Sequence, residues 1–138
     1  MRTALDTNVL SALWSSEPLV SRIASQLTYF HLQGGLVVSA PVYAELLAHP
    51  LATQSFVDSF LRDTNITIDF GLSESVWRHA AANFATYAQR RRHSGGGTAK
   101  RFLVDFIIAA HAMLSADQLM TLDPTRYEKD FPKLKIVQ

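Results

Sequence analysis

Short apolar runs alternate with longer stretches of helical periodicity along the whole chain, and this alternation constrains the fold more than any other feature. Thr3 to Leu5 is an apolar run that stops at Asp6. Leu36-Val37-Val38 is apolar without interruption, as in a strand covered on both faces. Ile66-Thr67-Ile68 is β-branched, Gln118 to Leu122 forms a fourth strand ending at Asp123, and Lys135-Ile136-Val137 forms a fifth. Helices fill the intervals. Asn8 to Trp14 is brief. From Pro18 onward, Leu19, Ile23, Leu27 and Phe30 recur at helical spacing until Gly34-Gly35. Pro41 suits the first turn of a helix that carries Glu45. Ala52 to Asp63 is expected to be helical with Phe56, Phe60 and Leu61 inward. Ser73 caps a long helix with Val76, Ala80, Phe84 and Tyr87 on one stripe. Phe102 to Leu114 is a helix apolar nearly all round, and a short helix precedes the last strand. The pattern predicts an α/β fold of three layers, with a central, mostly parallel sheet between helices. Ligands of such sheets lie beyond the carboxyl ends of the strands.

The 138 residues contain no internal repeat and no linker long enough to divide them, so residues 1–138 are expected to form a single domain. The absence of cysteine excludes disulfides, zinc-thiolate centres and thiol nucleophiles. No apolar run approaches the ~18 residues of a membrane span, and Asp6 falls inside any signal core. A soluble, cytoplasmic protein is expected, with no membrane partner. The net charge of +1 does not announce a nucleic-acid binder. The distribution says more, because Arg90, Arg91, Arg92, His93, Lys100 and Arg101 crowd around Gly95-Gly96-Gly97. Such a patch can steer a polyanion, or it can be a solvated loop.

Four acids stand where the local pattern asks for apolar residues or where strands end. Asp105 lies inside Phe102-Leu103-Val104-Asp105-Phe106-Ile107-Ile108, and Glu45 inside Val42-Tyr43-Ala44-Glu45-Leu46-Leu47. A buried carboxylate needs a partner. Asp6 and Asp123 each follow an apolar strand. Each acid also has a purely local explanation. Asp6 can cap the next helix, and Asp123 before Pro124 can serve a turn. Glu45 can pair with an arginine, and Asp105 with Arg101 one helical turn back. Taken together, two acids at strand ends and two near helix starts can converge on one edge of a parallel sheet. Carboxylates brought that close raise one another's pKa and call for a cation. Mg²⁺ and Mn²⁺ are the natural counter-ions of such oxygens. The chemistry that fits is metal-assisted hydrolysis of a phosphodiester.

These residues resemble a known family. Leu5-Asp6-Thr7-Asn8-Val9-Leu10 resembles the opening signature of PIN-domain nucleases. Glu45 in Ala40-Pro41-Val42-Tyr43-Ala44-Glu45-Leu46 is similar to their second acid. Asp105-Phe106-Ile107-Ile108-Ala109-Ala110-His111-Ala112 is similar to their third motif, and Leu119-Met120-Thr121-Leu122-Asp123 to their fourth. The motifs keep the family's order and span nearly the whole chain. The resemblance implies a PIN-like nuclease domain whose metal-binding and catalytic residues are Asp6, Glu45, Asp105 and Asp123. Thr7, Asn8 and Thr121 become supporting polar residues. Asp130, before Phe131-Pro132, rivals Asp123, because many relatives carry the last polar ligand further along. The short length looks most like the toxin of a type II (VapBC-like) toxin–antitoxin pair. That implies a Mg²⁺- or Mn²⁺-dependent endoribonuclease acting on RNA, and a homodimer held by a cognate antitoxin. The basic loop, Arg90, Arg91, Arg92, Lys100 and Arg101, has no fixed family role and is a candidate contact for RNA backbone or antitoxin.

Other chemistries lack their residues. The five histidines show no HExxH pattern, and His111 on its apolar helix reads as a satisfied core histidine. No G-x-S-x-G elbow is present, and no GK[ST] follows the glycine loop. An aspartyl-phosphate enzyme would carry a second acid where Asn8 stands. Trp14, Trp77, Phe84 and Tyr87 are spaced for core or dimer packing. The remaining alternative is a module of the same fold that binds RNA or protein without cutting.

Overall fold

Five parallel strands form the centre of the computed structural model, which describes residues 1–15, 18–95 and 102–138. They are β1 (Thr3–Leu5), β2 (Leu36–Ser39), β3 (Ile66–Asp69), β4 (Gln118–Met120) and β5 (Ile136–Val137), in the order β3-β2-β1-β4-β5. Every pairing is parallel. Ala4 stands between Val37 on one side and Leu119 on the other. All residues of β1, β2 and β4 are buried, which is why these strands read as unbroken apolar runs. Two polar side chains inside this layer satisfy each other, as Gln118 Nε2 donates to Thr3 Oγ1 at 2.8 Å across the β1–β4 pair.

The chain builds the sheet outward from β1 to β3, then returns to place β4 on the other side of β1. The strand order therefore reverses between β1 and β4, and a crevice at their carboxyl ends is the expected ligand position. Asp6 and Thr121 follow those two strands directly.

Helices cover the sheet. They are α1 (Thr7–Trp14), α2 (Val20–Gly34), α3 (Ala40–Leu46), α4 (Gln54–Asp63), α5 (Glu74–His93), α6 (Leu103–Ser115) and α7 (Thr125–Glu128). The α2 helix lies against β1 and β2, α6 lies against β1 and β4, and α5 packs on α6. The result is the expected three-layer α/β/α arrangement. Gly35 ends α2 with φ +101°, a conformation open to glycine. A Cβ on Gly34 would lie 2.3 Å from the Met1 nitrogen, so the start of the chain can pass there only beside a glycine. Ser73 caps α5 as expected, accepting from the Val76 N–H at 3.2 Å.

Several expectations are corrected. The first α2 residue is Val20 rather than Pro18, and Leu19 is exposed. The α4 helix starts at Gln54 because Thr53 caps it, its hydroxyl accepting from Phe56 N–H. Its buried residues are Val57 and Leu61, whereas Phe56 is exposed. Phe60 is partly buried against the core as expected, and both phenylalanines make T-shaped contacts with Trp14, with centroids 5.2 and 5.3 Å away. Trp77 is exposed, so of its two expected roles it does not serve the core. The β4 strand stops at Met120, so Asp123 sits in the loop beyond it rather than at the strand end. No helix among the described residues is long and apolar enough to cross a membrane.

Candidate active site

The chain leaves β1 with an extended Asp6 and turns at once into α1. Asp6 Oδ1 accepts the Thr7 N–H at 2.8 Å, the local capping role its position suggests. Oδ2 turns the other way, accepting from Thr121 Oγ1 at 2.8 Å and from the Tyr127 hydroxyl at 2.7 Å. Asp6 is only 2% exposed, and these three donors supply what burial removes. Capping and site-building are thus two jobs of one carboxylate.

Thr121 is the hub of this network. Its hydroxyl donates to Asp6 and accepts from Asn8 Nδ2 at 3.2 Å and from Asp123 N–H at 3.1 Å. One donor and two lone pairs are the full capacity of a hydroxyl. Asn8 Oδ1 in turn accepts the Leu122 N–H at 3.1 Å. The start of α1 is thereby pinned to the loop after β4. From the same turn, Thr7 Oγ1 donates to Glu45 Oε1 at 2.6 Å. The contact of Glu45 is thus a threonine hydroxyl where a pairing arginine was one expectation. Its apolar surroundings in sequence suggested burial, yet Glu45 is exposed, and Val42 and Leu46 are the residues that α3 buries.

Asp105 occupies the first turn of α6, with its side chain 13% exposed. That helix is not buried from its first residue: burial runs from Phe106 to Ala112, and Leu103 is exposed. Arg126 of α7 links Asp105 to Asp123, its two terminal nitrogens lying 3.7 Å from Asp105 Oδ1 and 3.3 Å from Asp123 Oδ2. Asp123 Oδ1 also accepts from Thr125 Oγ1 at 2.9 Å. Burial opposes the Arg126 charge, but Asp105, Tyr127, Asp6 and Asp123 outweigh it and hold its pKa above the ordinary arginine value. The phenol of Tyr127 is pushed far above the tyrosine range, first by burial, then by the charge and hydrogen bond of Asp6 and the charge of Asp105. It remains a protonated donor to Asp6 across the physiological range.

Sequence reasoning missed Arg126 and Tyr127. A cation three residues after Asp123 on a short helix was a signal for Arg126. Nothing local marked Tyr127, whose partner Asp6 lies at the other end of the chain.

The other candidates fall away from this network. The Asp130 side chain is buried and ion-paired with Arg90 of α5, and its backbone oxygen accepts from Asn83 Nδ2 at 3.2 Å. Arg90, Arg91, His93 and Lys129 line a cavity of about 800 Å³, while Arg92 is exposed. Lys100 and Arg101 lie outside the described residues, and so does the Arg101–Asp105 pairing. His111 is buried with its Nε2 3.0 Å from Asp69 Oδ2, a satisfied core histidine as expected.

The donor chemistry beyond the ends of β1 and β4 is that of a hard divalent ion: carboxylates and hydroxyls, with no sulfur. The space between Asp105 and Asp123 already holds a cation, the Arg126 guanidinium. Among the described residues, no three His, Asp or Glu side chains are gathered closely enough to clasp an ion as they stand. Asp6 and Glu45 are linked through Thr7, and Asp105 and Asp123 through Arg126. Arg126 and Tyr127 join the two pairs, since both lie in the field of Asp6 and Asp105.

No curated protein matches the chain. Solved structures share its fold. VapBC-1 from nontypeable Haemophilus influenzae is 20% identical with a TM-score of 0.64, the alignment covering 100% of this chain and 98% of the other. VapBC2 from Rickettsia felis, bound to a DNA fragment from its promoter, is 21% identical with a TM-score of 0.69, covering 99% and 98%. FitAcB from Neisseria gonorrhoeae is 21% identical with a TM-score of 0.60, covering 99% and 96%. The family model of the PIN domain matches residues 3–132, almost the entire chain and all four acids. The chain belongs to the PIN-domain family.

Proposed function

We propose that this protein is a Mg²⁺- or Mn²⁺-dependent endoribonuclease and the toxin of a toxin–antitoxin pair. The observation that carries the reading is the position of the acids. Asp6, Asp123, Asp105 and Glu45 are tied into linked networks beyond the carboxyl ends of β1 and β4, where the strand order reverses. PIN-family membership supports nuclease chemistry there, and the likeness to VapBC and FitAcB structures supports a toxin held by an antitoxin.

Asp6, Glu45, Asp105 and Asp123 would hold the metal. When bound, it supplies a water of lowered pKa and neutralises charge on the phosphate. The protein's own residues prepare the site. Three donors fix the Asp6 carboxylate so that it need not reorganise on binding. Thr7 orients Glu45, which is exposed and within reach of solvent water. Thr121 and Asn8 hold the loop that carries Asp123 against α1. The basic residues Arg90, Arg91, Arg92, Lys100 and Arg101 are assigned to the RNA backbone or the antitoxin. The chain acts as a homodimer in this reading.

A non-catalytic binding module on the same fold is the alternative reading. Purified, inhibitor-free protein incubated with total cellular RNA separates the two. Discrete fragments with Mg²⁺ or Mn²⁺, absent with EDTA and absent in Asp105→Asn, are expected. Intact RNA in every lane favours the binding module.

A further inference from the structure

Arg126 occupies a position that a metal-binding acid cluster has no obvious reason to fill with a fixed side chain. Its guanidinium spans two acids on different elements, Asp105 at the start of α6 and Asp123 in the loop after β4. The contacts, 3.7 and 3.3 Å, are longer than the 2.7–2.9 Å of a tight charge-assisted hydrogen bond. The guanidinium thus lies between the two carboxylates. The side chain is 38% exposed and rides on α7, which has four residues. A divalent ion needs carboxylate oxygens at about 2.0–2.1 Å for Mg²⁺, drawn in around one point. Asp105 and Asp123 cannot close on such an ion while a guanidinium stands between them.

We infer that Arg126 is the built-in counter-ion of the acid cluster, holding Asp105 and Asp123 in place without metal and giving way when a divalent ion enters. Metal binding and the Arg126 contacts are mutually exclusive. Arg126 is a positioning residue with a regulatory consequence: it weakens metal affinity and spares the metal-free protein the repulsion of its own acids. The inference rests on the metal-dependent reading of this site.

The test is calorimetric titration of the full-length protein with MnCl₂. The variants are Arg126→Gln, Arg126→Lys and, as a remote charge control, Lys133→Gln at an exposed position. Arg126→Gln is expected to bind Mn²⁺ about tenfold more tightly than wild type. Arg126→Lys, which keeps the charge, stays within about twofold, and Lys133→Gln is unchanged. Metal-free Arg126→Gln melts below wild type and gains more from added Mn²⁺. If it is unfolded without metal, recovery of its far-ultraviolet circular dichroism on adding Mn²⁺ supports the inference equally. A merely structural arginine predicts the opposite sign, because loosening the site weakens binding. Equal or weaker Mn²⁺ binding by Arg126→Gln overturns the inference, as does equal tightening in Lys133→Gln. Wild type that binds no Mn²⁺ while Arg126→Gln does supports it in its strongest form. No binding by either overturns the metal-dependent reading along with it.

Discussion

Thr121 and Tyr127 supply two of the three donors on the buried Asp6 carboxylate, and each can be removed with little change in shape. Tyr127→Phe deletes one hydrogen bond to a carboxylate and is expected to cost about 1.5–3 kcal/mol, measured by urea unfolding. The same variant has a pH signature. Folding raises the Tyr127 pKa above the unfolded value of 10.0, so its stabilising contribution is complete below pH 10.0 and declines as pH rises beyond it. Wild-type stability should therefore fall toward that of Tyr127→Phe above pH 10.0; a constant gap up to about pH 12 would argue against a buried Tyr127 phenol beside Asp6. Thr121→Ser keeps the hydroxyl and should cleave RNA near the wild-type rate. Thr121→Val leaves Asp6, Asn8 and the Asp123 N–H each short of a partner, and loss of cleavage in a folded protein is the expected result.

At the scale of elements, legibility followed locality. The strands β1, β2 and β4 could be read because both faces are buried and every residue is constrained alike. Ser73 could be read as a cap because its partner, Val76, is three residues away. The inward face of α4 was read correctly at Phe60 and Leu61 but misjudged at Phe56, whose bulk outweighed Val57 in the pattern; Phe56 is exposed and meets Trp14 of α1, while Val57 is buried. That correction can be measured. Leu61→Ala should cost about 2–5 kcal/mol, as for any fully buried leucine. Phe56→Ala should cost about 1 kcal/mol, the worth of an exposed edge contact. A Phe56→Ala cost as large as that of Leu61→Ala would return Phe56 to the inward face. The site divides the same way. Asp6, Thr7, Asn8 and Thr121 were visible because they adjoin strand ends. Arg126 and Tyr127 were not, because what gives them a role is a contact across the chain with residues that sequence spacing cannot bring together.

At the scale of the whole molecule the acid network and the basic cavity are separate, though each holds one group of the opposite sign, Arg126 in the first and Asp130 in the second. The acids gather at the ends of β1 and β4, while Arg90, Arg91, His93 and Lys129 line a separate cavity at the end of α5. A net charge of +1 conceals this separation. If RNA follows the basic wall, Arg91→Ala with Arg92→Ala should lower the slope of log affinity against log salt by about 0.7 per lost phosphate contact. Arg90 is left in place because its pairing with Asp130 also ties α5 to the C-terminal segment. Beneath RNA recognition lies a narrower requirement, that the acid network beyond β1 and β4 be a divalent-metal site. Anomalous scattering from crystals soaked in MnCl₂ reads this out without any substrate. A Mn²⁺ peak among Asp6, Glu45, Asp105 and Asp123, with the Arg126 guanidinium turned away from the acids, is the expected result. No peak at saturating Mn²⁺, with Arg126 still between Asp105 and Asp123, would contradict it.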